Sequence, residues 1–166
     1  RKSFPVDVAK TLDTIQMLGF TEMETGSHGL PPAEFKKMCN QRDISIPSSE
    51  AGFDQFEKSP EAVAHMAKQL GAQFVMCAWI PHQSIFTLED AKKAVAVFNT
   101  AGKVLLDSGL IFCYHPHGYE FQPYENGTLL DYIITNTNPN YVSFEMDILW
   151  AYFGGGDPVA LLKKYG

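Results

Sequence analysis

The run QFVMCAWI (73–80) is apolar at every position after its glutamine. A strand without polar alternation has to be buried on both faces, and that restricts the architecture to a parallel sheet covered by helices. Helix signals bracket it. Ser59-Pro60-Glu61 reads as cap and first turn of a helix ending near Gly71. Thr87-Leu88-Glu89-Asp90 opens a long helix, with Leu88, Ala91, Val95, Phe98 and Leu105 on one stripe before Gly109.

The rest of the chain repeats this alternation. Pro5 in a first turn, then Val8, Leu12, Ile15 and Leu18, predict a helix ending at Gly19. FTEMET (20–25) alternates as a strand, a short helix is expected from Pro32 to about Gln41, and ISIPSS (44–49) is a strand made irregular by Pro47. LIFCYHPH (110–117) and VSFEMDI (142–148) are further strands, with a helix over GTLLDYIITN between them. Asp157-Pro158 opens a last helix. GGGDP (154–158) lacks the Lys-Ser/Thr of a phosphate loop and reads as a turn. The expectation is an α/β fold forming a single domain over 1–166. A composition 45% hydrophobic and 13% aromatic is enough to build its core.

A net charge of -6 opposes binding to nucleic acid or to an anionic membrane. No apolar stretch reaches the ~20 residues of a membrane span. Cys39, Cys77 and Cys113 lie too far apart for a metal knuckle or redox pair, which suits a reducing, cytoplasmic setting. The chain starts at Arg1 without a methionine, so a lost leader stays open.

In parallel α/β folds, ligands bind at the carboxyl ends of strands. Period two places His115 and His117 on one face with Ile111 and Cys113. It also groups Ser143, Glu145 and Asp147 opposite Val142, Phe144, Met146 and Ile148. With the apolar face on the helices, the carboxylates point inward, where they need partners. Glu22 and Glu24 end FTEMET in the same way. Each residue also has an ordinary reading: a structural histidine, a carboxylate capping the next helix, Trp79 and Trp150 in a core.

YHPHGYEF resembles the Y-H-x-H-x-x-E-F signature, and VSFEMDILW the F-E-x-D-x-x-W signature, of the xylose isomerase-like TIM-barrel superfamily, in its sugar phosphate isomerase/epimerase branch. GFTEMET is similar to that family's second strand, and VFNTAGKVLLDSGLIFCYH to its fourth helix and fifth strand. The resemblance implies a (β/α)8 TIM barrel, present here as an incomplete barrel of about strands two to six and truncated at both ends relative to the family. Unpaired strand edges in such a piece favour a homo-oligomer. Ser49 stands where many relatives carry a histidine.

The implied activity is isomerisation or epimerisation of a sugar or sugar phosphate through an enediolate, with a divalent metal (Mn, Mg, Co or Zn) as Lewis acid. By the resemblance Glu120 is metal ligand and acid/base, and Asp147 is a ligand. His117, His115 and Glu24 meet the sugar hydroxyls, while Trp79 and Trp150 form a wall. The alternatives are an inosose dehydratase-type lyase, an endonuclease for abasic DNA, which the acidic balance disfavours, and a non-catalytic sugar-binding barrel.

Overall fold

A computed structural model of the chain describes residues 3–166. Helix α1 (Val8–Met17) starts at Asp7, whose side chain accepts from the Lys10 amide at 2.9 Å. Pro5 therefore precedes the helix instead of sitting in its first turn, because Asp7 is the better cap. Leu12 is buried, whereas Leu18 lies just past the helix and is exposed. The strand expected over residues 20–25 is extended but irregular. It bridges Glu22 to Ser45, with Met23 N–H donating to the Ser45 carbonyl at 3.0 Å and Thr25 N–H to the Ser48 carbonyl at 3.2 Å.

Helix α2 (Pro32–Asn40) matches its expectation, and strand β1 shrinks to Ser48–Glu50. Pro47 has no N–H to give, so only its carbonyl takes part, accepting from the Gln73 and Phe74 amides at 2.9 and 3.0 Å. Helix α3 (Phe53–Lys58) escapes sequence reading because it is a six-residue turn abutting Ser59. Helix α4 (Pro60–Leu70) closes on Gly71, whose φ of 79° suits a residue without Cβ. Strand β2 (Phe74–Cys77) is the centre of the apolar run. Helix α5 (Leu88–Asp107) carries the expected capping box between Thr87 and Asp90.

Strand β3 (Ile111–Tyr114) is followed by a 3-10 turn (Tyr119–Phe121) and a small hairpin, β4 (Pro123–Tyr124) and β5 (Gly127–Thr128). Then come α6 (Leu129–Asn136), β6 (Val142–Phe144), α7 (Ile148–Phe153) and α8 (Pro158–Tyr165). The strand expected over 142–148 stops early because Asp147 caps α7, accepting from the Trp150 amide at 2.9 Å.

The main sheet has order β1-β2-β3-β6, all parallel, with residues 20–25 bonded beside β1. Its register aligns Ser49, Val75, Phe112 and Val142. The last three of these face the helices and pack with Phe53, Phe56, Phe98 and Ile133. Burying an aromatic such as Phe112 there contributes roughly 2 kcal/mol. Glu50, Met76, Cys113 and Ser143 are likewise aligned on the other face. Among the described residues no helix is long and apolar enough to cross a membrane.

Candidate active site

Beyond its last paired residues the sheet continues by single hydrogen bonds. His115 N–H donates to the Cys77 carbonyl, and Glu145 N–H to the Tyr114 carbonyl, both at 2.9 Å. These bonds extend the alternation of β3 and β6, so His115 and Glu145 emerge side by side on the face away from the helices. His115 Nδ1 lies 3.2 Å from Glu145 Oε1, and its Nε2 lies 3.6 Å from Asp147 Oδ2. Asp147 is held in place by its own cap, since Oδ1 is taken by Trp150 N–H and Oδ2 is left for the imidazole.

Glu24 joins this group from the neighbouring segment, accepting from the Ser48 hydroxyl. Burial raises the pKa of Glu24; the Ser48 bond opposes the rise, repulsion from Glu145 adds to it, and His115 draws it back. The carboxyl still keeps an exposed face. Cys113 stands at the floor of the same face. Its thiol is pushed up to about 12, chiefly by burial and then by Glu145 and Glu24, so it stays protonated.

Glu120 occupies a different place. Its side chain is wholly buried, at 0% exposure. Tyr114 Oη donates to Glu120 Oε1, and His117 N–H lies 3.0 Å and 3.2 Å from its two oxygens. The Tyr114 hydroxyl lies 3.2 Å from that of Tyr119, and Tyr119 in turn accepts from Ile80 N–H at 2.8 Å. Burial and then the Glu120 carboxyl push the Tyr114 pKa well above its usual value.

The expected metal pair of Glu120 and Asp147 is therefore divided between a buried network and an open group. Among the described residues no three of His, Cys, Asp and Glu are grouped to hold a metal ion. A hard divalent cation needs about six donors, and a carboxyl with no accessible face does not offer one. The described residues do not fit a metal centre.

Aromatic rings line one side. Trp79, 52% exposed, stacks on His82 at 4.9 Å and meets Tyr119 edge-on at 4.8 Å. His117 lies between Trp79 and Trp150, at 6.1 and 5.1 Å, with His115 4.9 Å away. The glycine-rich turn brings Trp150 here: a Cβ on Gly154 would lie 2.8 Å from Gly118 Cα and 2.5 Å from the Phe121 ring. The turn read from GGGDP as a plain connector is thus a packing surface.

Of the residues expected at the site, His115, Asp147 and Glu24 gather around one space, and His117, Trp79 and Trp150 form an aromatic side. Glu145 was outside the expected set although it contacts His115 directly. Its parity with Asp147 along VSFEMDI was the available signal. Ser49 is aligned with Val75 of the helix-facing core and is buried, with no hydrogen-bond partner for its hydroxyl among the described residues.

No protein-family model matches the chain, and no curated protein does. Solved structures do match. A sugar phosphate isomerase/epimerase from Parabacteroides distasonis ATCC 8503 superposes with a TM-score of 0.82 at 24% identity, covering 99% of this chain and 68% of that one. A second sugar phosphate isomerase/epimerase from that organism gives 0.81 at 26% identity, covering 98% and 71%. A D-psicose 3-epimerase, solved in the presence of D-fructose, gives 0.68 at 11%, covering 96% and 64%. The fold is that of the xylose isomerase-like TIM barrels, with the described parallel strands as an open arc of the (β/α)8 barrel. An AP endonuclease, family 2, from Brucella melitensis shares the fold as well, with a TM-score of 0.72 at 14% identity, covering 94% and 69%.

Proposed function

We propose that the protein is an isomerase or epimerase of a small sugar, acting by proton transfer beside a carbonyl. The observation that carries this reading is His115 held between Glu145 and Asp147, with Glu24 within electrostatic reach, at the carboxyl ends of parallel strands. Glu145 and Glu24 are the proton carriers. One takes the proton from the carbon next to the carbonyl, breaking C–H and leaving an enediolate. Returning it to the neighbouring carbon, while the hydroxyl proton passes from that oxygen to the former carbonyl oxygen, isomerises the sugar; delivery of a proton by the other carboxyl to the opposite face of the same carbon, the first carboxyl keeping the one it took, epimerises it. Nothing is oxidised or reduced overall.

His115, held by Glu145 at Nδ1, has its Nε2 3.6 Å from Asp147, beyond a hydrogen bond, and offers that nitrogen to the oxygen on which charge develops. His117 meets a hydroxyl, while Trp79 and Trp150 take the apolar face of the ring. Among the described residues every lysine lies on a helix and Arg42 follows α2, so the strand ends gather acids and imidazoles. That distribution supports a neutral sugar over its phosphate.

The test is turnover of a panel of aldoses, ketoses and inososes, each with its phosphate where one exists, in EDTA and with Mn²⁺, Mg²⁺, Co²⁺ or Zn²⁺. Divalent metal dependence, which the resemblance implies, is read in the same assay. Interconversion of a neutral ketose that falls about 10²- to 10⁴-fold in His115→Ala is the expected result. Loss of water from an inosose without isomerisation, or unchanged turnover in His115→Ala, overturns the reading.

A further inference from the structure

We propose that Glu120 is a positioning residue which sets the His117 and Trp79 walls of the site from below, and is neither a metal ligand nor the proton carrier. Its carboxyl is the meeting point of one continuous network. Ile80 N–H donates to the Tyr119 hydroxyl at 2.8 Å, and that hydroxyl lies 3.2 Å from the Tyr114 hydroxyl. Tyr114 Oη then donates to Glu120, which also receives His117 N–H at 3.0 Å. The network ties the segment after β2 to the segment after β3.

The tie sits directly under the aromatic side. Trp79 packs on the ring of Tyr119 at 4.8 Å, and His117 begins at the very amide that Glu120 holds. Gly118, with φ 93°, turns the chain back so that Glu120 reaches that amide from three residues downstream. A buried carboxyl is costly unless hydrogen-bonded. An apolar residue would fill the space more cheaply but could not fix the His117 backbone. Shifting a substrate-facing group by about an ångström costs up to about a hundredfold in efficiency.

The kinetic arm rests on the isomerase reading; the other two arms do not. The variants are Glu120→Gln, which turns an NH₂ group towards one of the two donors, and Tyr114→Phe, which removes one donor and leaves the carboxyl in place. In Glu120→Gln the His117 amide is expected to exchange with solvent about tenfold faster or more. Any Mn²⁺ binding the parent shows should persist in it with a dissociation constant within about twofold, and a parent that binds no Mn²⁺ already excludes a ligand role for Glu120. For the sugar the parent turns over, KM should rise about ten- to a hundredfold, with kcat and its pH profile within about threefold. Tyr114→Phe should move the same readouts in the same direction and by less, and it decides the matter if the glutamine variant does not fold.

Loss of Mn²⁺ binding in Glu120→Gln alone overturns the proposal in favour of a ligand. A fall in kcat that removes one limb of its pH profile overturns it in favour of a proton carrier. Unchanged His117 exchange in both variants reduces Glu120 to a core-filling residue and also overturns it. If the parent turns over no sugar, the isomerase reading fails on its own and amide exchange still decides the role of Glu120.

Discussion

His115 is clamped between two carboxylates, Glu145 Oε1 at 3.2 Å from Nδ1 and Asp147 Oδ2 at 3.6 Å from Nε2. The clamp is built by the backbone: the His115 and Glu145 amides each extend the sheet by one bond, and Asp147 is fixed by capping α7. Asp147 therefore does two separable things. One oxygen stabilises a helix and the other orients the imidazole.

Asparagine separates them. Asn caps helices about as well as Asp, so Asp147→Asn should keep the parent's stability within about 0.5 kcal/mol, whereas Asp147→Ala should lose about 1 kcal/mol. Turnover should fall about 10- to 100-fold in both, because neither leaves a carboxylate beside Nε2. Urea denaturation and steady-state kinetics on the pair check this; a fully active Asp147→Asn would remove the carboxylate from the mechanism.

Glu24 makes a pH prediction. Burial first, and then Glu145 and Glu50, raise its pKa above the ordinary 4.5. A carboxyl raised in the folded state contributes stability below its unfolded value and loses it as pH rises through the folded value. The parent should thus lose stability as pH climbs above 4.5, and Glu24→Gln should flatten that decline. Melting temperatures of both proteins across this window, with an equal decline in each, would show that the strain lies elsewhere.

The fold was legible wherever burial or capping leaves a mark on the chain. The unbroken apolar run at 73–80 forces a covered parallel strand, and Thr87 with Asp90, Ser59 with Pro60, and Asp157 with Pro158 announce their helices. Strand ends were overrun, because Asp147 is as plausible at the end of an alternating strand as at a helix cap. The burial of Glu120 is not legible for a related reason: a motif shared with a family says nothing about a turn through Gly118 that places the carboxyl under Tyr114. The pairing of His115 with Glu145 depends on which strands are neighbours, and register across a parallel sheet is not written in either strand alone.

Ser49 carries into the helix-facing core, beside Val75 in the register, a hydroxyl with no partner among the described residues. A buried polar group without a partner costs about 1–3 kcal/mol, while the small space left by removing an oxygen costs less. Ser49→Ala should therefore leave stability unchanged or raise it by up to about 1 kcal/mol, without affecting turnover. Destabilisation on urea unfolding would mean that the hydroxyl finds a partner in solution.

Asp131 joins the last helix to the rest of the fold. Its Oδ2 accepts from the Thr128 amide and hydroxyl at 2.8 Å, closing the α6 cap, while Oδ1 accepts from Lys164 Nζ at 2.8 Å and from the Tyr165 hydroxyl. No residue of α8 is buried, so this polar contact substitutes for apolar packing. Burial works against the charge, but hydrogen bonds from Lys164, Tyr165 and Thr128 prevail and hold the carboxyl down to about 2, below its ordinary 3.8. A depressed carboxyl contributes stability above its unfolded value and loses it as pH falls through the folded one, so the contribution should vanish between 3.8 and about 2. Asp131→Ala should cost about 1–2 kcal/mol at neutral pH through the lost cap and release α8. Lys164→Met should free α8 while leaving the cap intact, with a smaller loss. Amide exchange over α8 in the two variants checks this, and protection equal to the parent's in both would show that α8 is held by something other than Asp131.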